Sequence, residues 1–207
     1  IHHTGEWLKG TGPNSNIIMS TRIRLARNLA RIPFPGKGTK KSSMDIITAV
    51  QEAIEKIDLF KDSALFRMSE LDSIDRQFLV ESHLMSHEHA AHPEGKALVV
   101  SKEEVLSIMI NEEDHLRIQV LQSGFNLQET WRIINMVDDR LSEFLQFAFV
   151  LDWGYLTACP TNTGTVMRGS VMLHLPALVM TKHINKVLAA ISKLSFTSRG
   201  FYGEGTD

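Results

Sequence analysis

The sequence predicts an α+β fold, an antiparallel sheet flanked by helices. Three runs carry this reading. ALVVS (97–101), VLSIMI (105–110) and HLRIQVL (115–121) are rich in branched residues and read as strands. The last two are joined by a four-residue turn, Asn111-Glu112-Glu113-Asp114, as in a hairpin. On either side lie stretches whose apolar residues recur at helical spacing. With 207 residues, 43% of them hydrophobic, the chain can bury one sizeable core, and it reads as one domain over 1–207.

The elements follow in order. Residues 17–30, IIMSTRIRLARNLA, hold too many arginines among their apolar positions for a simple buried element. Pro33, Pro35, Gly36 and Gly38 then make a loop. Ser42 opens a helix with Asp45 as partial capping box, and Ile46, Ile47, Val50, Ala53, Ile54 and Ile57 form its apolar face. A second helix is expected over 72–85, then a loop with His87, His89, His92 and Pro93. Asn126 with Glu129 caps a long helix bearing Trp131, Ile134, Val137, Leu141 and Leu145. A strand near 154–158, two helices over 170–194 and a strand near 195–201 complete the expectation.

Charge and cysteine content exclude several classes. The net charge is −2, from 22 basic and 24 acidic residues, without the basic excess of a nucleic-acid coat. A single cysteine, Cys159, rules out an internal disulfide and suits a reducing compartment. No apolar run is long enough to span a bilayer, and no signal pattern opens the chain. The chain reads as cytoplasmic, with neither membrane nor nucleic acid as partner.

Four clusters can carry chemistry. In an extended segment Arg22 and Arg24 project from one face, a clamp for a polyphosphate or else a solvated strand edge. Glu112, Glu113 and Asp114 concentrate negative charge between two apparently buried strands, near Arg117, and a bound guanidinium or Mg²⁺ would relieve it. A plain soluble turn is the alternative. Cys159-Pro160-Thr161-Asn162-Thr163-Gly164-Thr165, then Arg168, reads as a turn leading into a helix, with backbone N–H groups beside a thiol. That thiol can equally be a small buried hydrophobe. Arg199-Gly200-Phe201-Tyr202-Gly203-Glu204-Gly205 reads as a glycine-rich mobile loop or an ordinary turn.

Taken together, STRIRLARN, NEEDHLRIQ, CPTNTGTVMRGSVMLHLP and RGFYGEGT, in this order and spacing, resemble the ATP:guanido phosphotransferases, with the bacterial protein-arginine kinases as the nearest branch. The resemblance covers about 17–207. It implies an eight-stranded antiparallel sheet flanked by helices, Mg²⁺-dependent transfer from ATP, and Arg22, Arg24, Arg117, Arg168 and Arg199 gripping the nucleotide phosphates. It implies His83 against adenine, Glu113 and Glu204 holding the acceptor guanidinium, Glu112 near the water shell of Mg²⁺ with no direct protein ligand to the metal, and Cys159 beside the guanidinium. Met172 stands where animal members carry a nucleotide-contacting histidine, and Gly205 follows Glu204 where small-guanidine kinases carry histidine.

The resemblance further implies that the chain stops before the rest of the sheet and before a C-terminal phosphoarginine-binding domain. The acceptor it implies is arginine within a protein, since STRIRLARN begins after only 19 residues, without the helical domain that encloses a free guanidine. Its implied partners are arginine-bearing proteins, a stress-response repressor, a Clp-type unfoldase and a second copy of the chain. Alternatives are a kinase of a free small guanidine, a pseudokinase that senses nucleotide or phosphoarginine, and a cysteine hydrolase built on Cys159 with a nearby histidine such as His174.

Overall fold

Strand β1 (Ile18–Arg27) organises the molecule. In the computed structural model, which describes residues 5–200, it lies in a six-stranded sheet with β2 (Ala64–Arg67), β3 (Ala97–Val100), β4 (Leu106–Ile110), β5 (Leu116–Ser123) and β8 (Met167–Leu173). The strand order is β2-β3-β4-β5-β1-β8, and every neighbouring pair is antiparallel. Two further strands, β6 (Phe149–Val150) and β7 (Gly154–Tyr155), form a separate hairpin.

Side chains alternate between the faces of a strand, so the register assigns each residue to a side. Ile23 and Leu25 share a face with Ile118, Val120, Ile108, Ile110, Ala97 and Val99, and all are buried. Helix α1 (Lys40–Ile54) covers this face with Ile46, Ile47, Val50 and Ala53, and α4 (Leu127–Ser142) with Ile134, Val137 and Leu141. The opposite face is divided. Over β3 and β4, Leu98, Val100 and Met109 pack under Leu79 and Val80 of α2 (Ser73–Glu81) and under Leu84 and Met85. Over β5, β1 and β8 the same face carries arginines.

Several local expectations change. The cap of α1 is Thr39, whose hydroxyl accepts from the Ser42 amide while Ser42 accepts from the Thr39 amide; Asp45 takes no part. Asn126 makes no side-chain cap on α4, Glu129 is held by Arg132 at 2.6 and 2.7 Å instead of reaching back to the cap, and Trp131 is exposed rather than in the core. The helix expected over 72–85 ends at Glu81, and a short helix α3 (His87–Ala91), capped by Ser86, occupies the expected loop. Residues 170–173 belong to a strand rather than a helix, because Val171, Ser170 and Gly169 pair with Thr21, Arg22 and Ile23. Helices α5 (Pro176–Met180) and α6 (Ile184–Lys193) follow, and 195–199 form no strand.

Candidate active site

The arginine face follows from the register. Arg24 pairs with Gln119 on one side and Arg168 on the other, and Ala26 pairs with Arg117, so Arg22, Arg24, Arg117 and Arg168 all project from one side of the sheet. Arg27 has the parity of Ile23 and Leu25 and points to the other side. There it donates to Asp138 of α4 at 2.9 and 2.7 Å, with its guanidinium 3.5 Å from the centre of the Tyr155 ring.

Burial first, then the charges of Arg22, Arg117 and Arg168, pull the Arg24 guanidinium down to about 9, with Glu112 opposing; it stays charged at neutral pH. Arg22 is lowered by burial and then by Arg117. The Nε atoms of Arg22 and Arg24 are buried and have no hydrogen-bond partner among the described residues. Crowded like charges with unsatisfied donors form a site for an anion with several oxygens, which fits the polyphosphate of ATP.

The acidic turn divides its charges three ways. Asp114 is buried and accepts from Asn28 Nδ2 at 2.6 Å and from the Ala158 amide at 2.7 Å, which ties the turn to the 158–165 loop. Glu112 accepts from Arg117 Nη1 at 2.6 and 2.8 Å and from the Ser86 hydroxyl at 3.0 Å. Burial alone would raise the Glu112 carboxyl, but the Arg117 charge and these hydrogen bonds outweigh it and hold it below the usual carboxylate range. Glu113 is exposed and has no hydrogen-bond or ion-pair partner among the described residues. The expected mutual repulsion is therefore dispersed by separate partners, and Glu113 alone of the three is left for an incoming cation.

These groups meet in one cleft of about 290 Å³, lined by Arg24, Arg117 and Arg168 on the basic side and Glu112 and Glu113 on the acidic side. Asn162, Thr163 and Thr165 form its rim. Cys159 opens the 3₁₀ turn Pro160–Asn162 that leads to this rim, half-buried, with its sulfur 3.0 Å from the Thr161 hydroxyl. No helix follows that turn, contrary to expectation; the chain enters β8, so no helix dipole acts on the thiol. Among the described residues no group of three or more His, Cys, Asp or Glu side chains could hold a metal ion.

His83 stands beside Arg22 in the left-handed backbone region, at φ 58°. Gln119 Nε2 donates to its carbonyl at 2.6 Å, and Ser107 secures the next residue through the Leu84 carbonyl at 2.8 Å. The Trp7 ring meets the imidazole edge-on at 5.0 Å, and its indole N–H donates to Ser82 O at 3.3 Å. Burial and then Arg22 hold His83 below its ordinary value, which favours the neutral ring. Met172 lies on β8 opposite Ser20. Arg199 is exposed in the stretch after α6 and does not line the cleft. Glu204 and Gly205 fall outside the described residues. His174 lies at the Ile18 end of β1, where its amide donates to Ile17 O, whereas Cys159 lies beyond the Arg27 end. The ten residues of β1 separate them, roughly 30 Å of strand, which removes the Cys159–His174 hydrolase.

Sequence reasoning did not find Trp7, Ser86, Gln119 or the Arg27–Asp138 pair. Only the period-two parity of Arg27 signalled that it differs from Arg22 and Arg24.

The antiparallel sheet, its arginine face and the opposed glutamate define a class. The chain belongs to the ATP:guanido phosphotransferase family: residues 45–207 match that family's C-terminal catalytic domain. It is 51% identical over 204 residues to the protein-arginine kinase of Desulforamulus reducens, covering 97% of this chain and 57% of that protein. It is 48% identical over 204 residues to the protein-arginine kinase of Symbiobacterium thermophilum, covering 97% and 58%. The chain thus spans less than two thirds of the length of these curated relatives. The duplicated taurocyamine kinase of Schistosoma mansoni, solved with bound transition-state-analogue components, superimposes with a TM-score of 0.82 at 26% identity, over 95% of this chain and 29% of that one.

Proposed function

We propose that this chain is the phosphotransfer part of a protein-arginine kinase, which moves the γ-phosphoryl group of ATP to the guanidinium of arginine residues in proteins. The observation that carries the reading is the cleft, where an unpaired glutamate faces three arginines across about 290 Å³. The names and the identity of the bacterial relatives support a protein acceptor.

A guanidinium stays protonated at neutral pH and is a poor nucleophile. Glu113 pairs with its N–H edge, orients the reacting nitrogen and takes the proton that nitrogen loses. The nitrogen lone pair forms the bond to the γ-phosphorus in line as the bond to the β-bridging oxygen breaks, and ADP leaves. Arg22, Arg24, Arg117 and Arg168 align the polyphosphate and offset the charge that develops on it. Mg²⁺ carried by the nucleotide would supply further positive charge there, and Glu112 would stand near its water shell rather than ligate it. In this proposal Arg199, which stands outside the cleft in this structure, makes a phosphate contact and Glu204 a guanidinium contact; His83, backed by the buried Trp7, borders the base, and Cys159 orients the acceptor without a covalent step. The finer parts of the proposal are a cytoplasmic setting, pairing of two copies, and a stress-response repressor and a Clp-type unfoldase among the partners.

The test is mass spectrometry for phosphoarginine after incubating the full-length enzyme with Mg-ATP and casein, handled at neutral or alkaline pH because the N–P bond is acid-labile. Phosphoarginine on casein is the expected result. The likeness to taurocyamine kinase makes a small guanidine the second reading. Faster saturable ATP consumption with free arginine, and none on casein, would establish it. Nucleotide binding without any turnover would mark a pseudokinase.

A further inference from the structure

We infer that the tip of the β6–β7 hairpin docks apolar side chains of the polypeptide whose arginine enters the cleft. The inference rests on the reading of the acceptor as a protein. Phe149, Val150, Leu151 and Trp153 are 52, 44, 88 and 67% exposed, and only Asp152 among 149–153 is polar. Single exposed apolar residues are ordinary; a contiguous group at one turn is not.

The tip is not a loose loop. Trp153 N donates to Val150 O at 3.0 Å to close the turn, and Phe149 and Phe147 pack edge-on against Tyr155 at 5.2 and 6.2 Å. Tyr155 in turn lies under the buried Arg27 guanidinium. Among the described residues nothing covers this apolar surface, which stands on a fixed base.

Both legs of the hairpin are anchored to residues that adjoin the cleft lining. On one side Ala148 N donates to Asn28 O at 2.7 Å, and Asn28 also holds Asp114, the residue after Glu113. On the other, Tyr155 and Gly164 exchange hydrogen bonds of 2.9 and 3.3 Å, joining the hairpin to the Asn162–Thr165 rim. Trp153 is two residues from that junction, about 7 Å of extended chain. Residues two to five positions from an acceptor arginine lie about 7–17 Å along an extended substrate and so come within reach of the tip. The cleft's charged lining recognises a guanidinium but offers little to its neighbours. Aromatic and aliphatic anchors beside it fit an apolar, locally unfolded segment, since a folded substrate keeps such side chains inside.

The test compares two peptides on the full-length enzyme, each with one central arginine, flanked at two to five positions by Leu and Phe or by Ser and Gly. The wild-type enzyme is expected to have about a tenfold lower KM for the apolar peptide, equivalent to about 1.4 kcal/mol. A Leu151→Ser, Trp153→Ser double variant should lose that preference through KM, with kcat retained and the polar peptide unaffected. That unaffected peptide also shows that the variant is folded. An unchanged preference in the variant, or none in the wild type, overturns the docking surface. If the wild type places phosphoarginine on neither peptide, the protein-kinase reading beneath it has failed instead.

Discussion

Glu112 and Glu113 are adjacent in sequence and opposite in situation. Glu112 is held by Arg117 and Ser86, whereas Glu113 is exposed in the cleft without a partner among the described residues. In the proposed mechanism Glu113→Gln lowers kcat by about a thousandfold, the range of a positioned acid–base group. Its ATP affinity stays near wild type, because its partner is the acceptor; calorimetric titration with nucleotide checks this. Arg24→Ala has the reverse signature. Losing a charge-assisted phosphate contact weakens ATP binding by about tenfold to a hundredfold, and an unchanged titration would remove Arg24 from the clamp. Cys159→Ser is expected to keep partial activity, since the proposed mechanism passes no covalent step through the sulfur. Complete loss in a folded variant, with a trapped thiol adduct, would point to a nucleophile. The arginine pair and the glutamates were legible as residue types at a spacing. Ser86, 26 positions from Glu112, was not, because only the folded chain brings them together.

At the scale of the element, β1 shows what alternation decides. Arg22 and Arg24 project from the face of the sheet that carries the cleft, which Arg24 lines, while Arg27 crosses to the core side and pairs with Asp138. Arg27→Ala strands the buried Asp138 carboxylate and is expected to cost about 3–5 kcal/mol of stability, measured as the shift in urea midpoint. Its effect on nucleotide affinity should be small in the protein that remains folded. A stable variant with impaired ATP binding would show that Arg27 belongs to the site after all. The hairpin depends on Gly154 in a similar local way. At φ 80°, with a Cβ that would lie 2.6 Å from Gly164 O, it lets β7 approach the cleft rim. Strands β3 to β5 were evident from their branched residues, but β8 was read partly as helix, since MRGSVML has no clear alternation and the turn before it reads equally well as the start of a helix. Pairing with β1 decides it.

Across the whole molecule, two buried histidines couple stability to pH. Burial, the largest cause, lowers His89 from 6.5 to about 4, and burial likewise lowers His115. His89 bonds Ala97 O at 3.0 Å, while its Nδ1 is buried without a partner among the described residues. His115 accepts from the Leu29 amide at 3.0 Å and meets Pro33 O at 3.0 Å, an arrangement that fits the neutral ring. The folded state therefore binds fewer protons than the unfolded chain. Stability is full above the unfolded value of 6.5 and falls as pH drops toward 4. His89 accounts for about 3 kcal/mol of that loss. Urea midpoints measured from pH 7.5 to 4.5 should decline, and less steeply in His89→Gln; a flat wild-type profile would exclude this coupling.

Composition and local pattern by themselves determined the class of fold, the strands 97–121, the shared face of Arg22 and Arg24, and the family to which the motifs point. Each of these depends on residues close in sequence, where the periods of strand and helix leave a readable trace. Only the tertiary structure decided which glutamate stays unpaired, that Trp7 closes on His83, that Arg27 is structural, and that an apolar hairpin stands beside the cleft. Those outcomes rest on contacts between residues as distant as 75 and 111 positions. Such contacts form only when the sheet has set its register, and no local period records them.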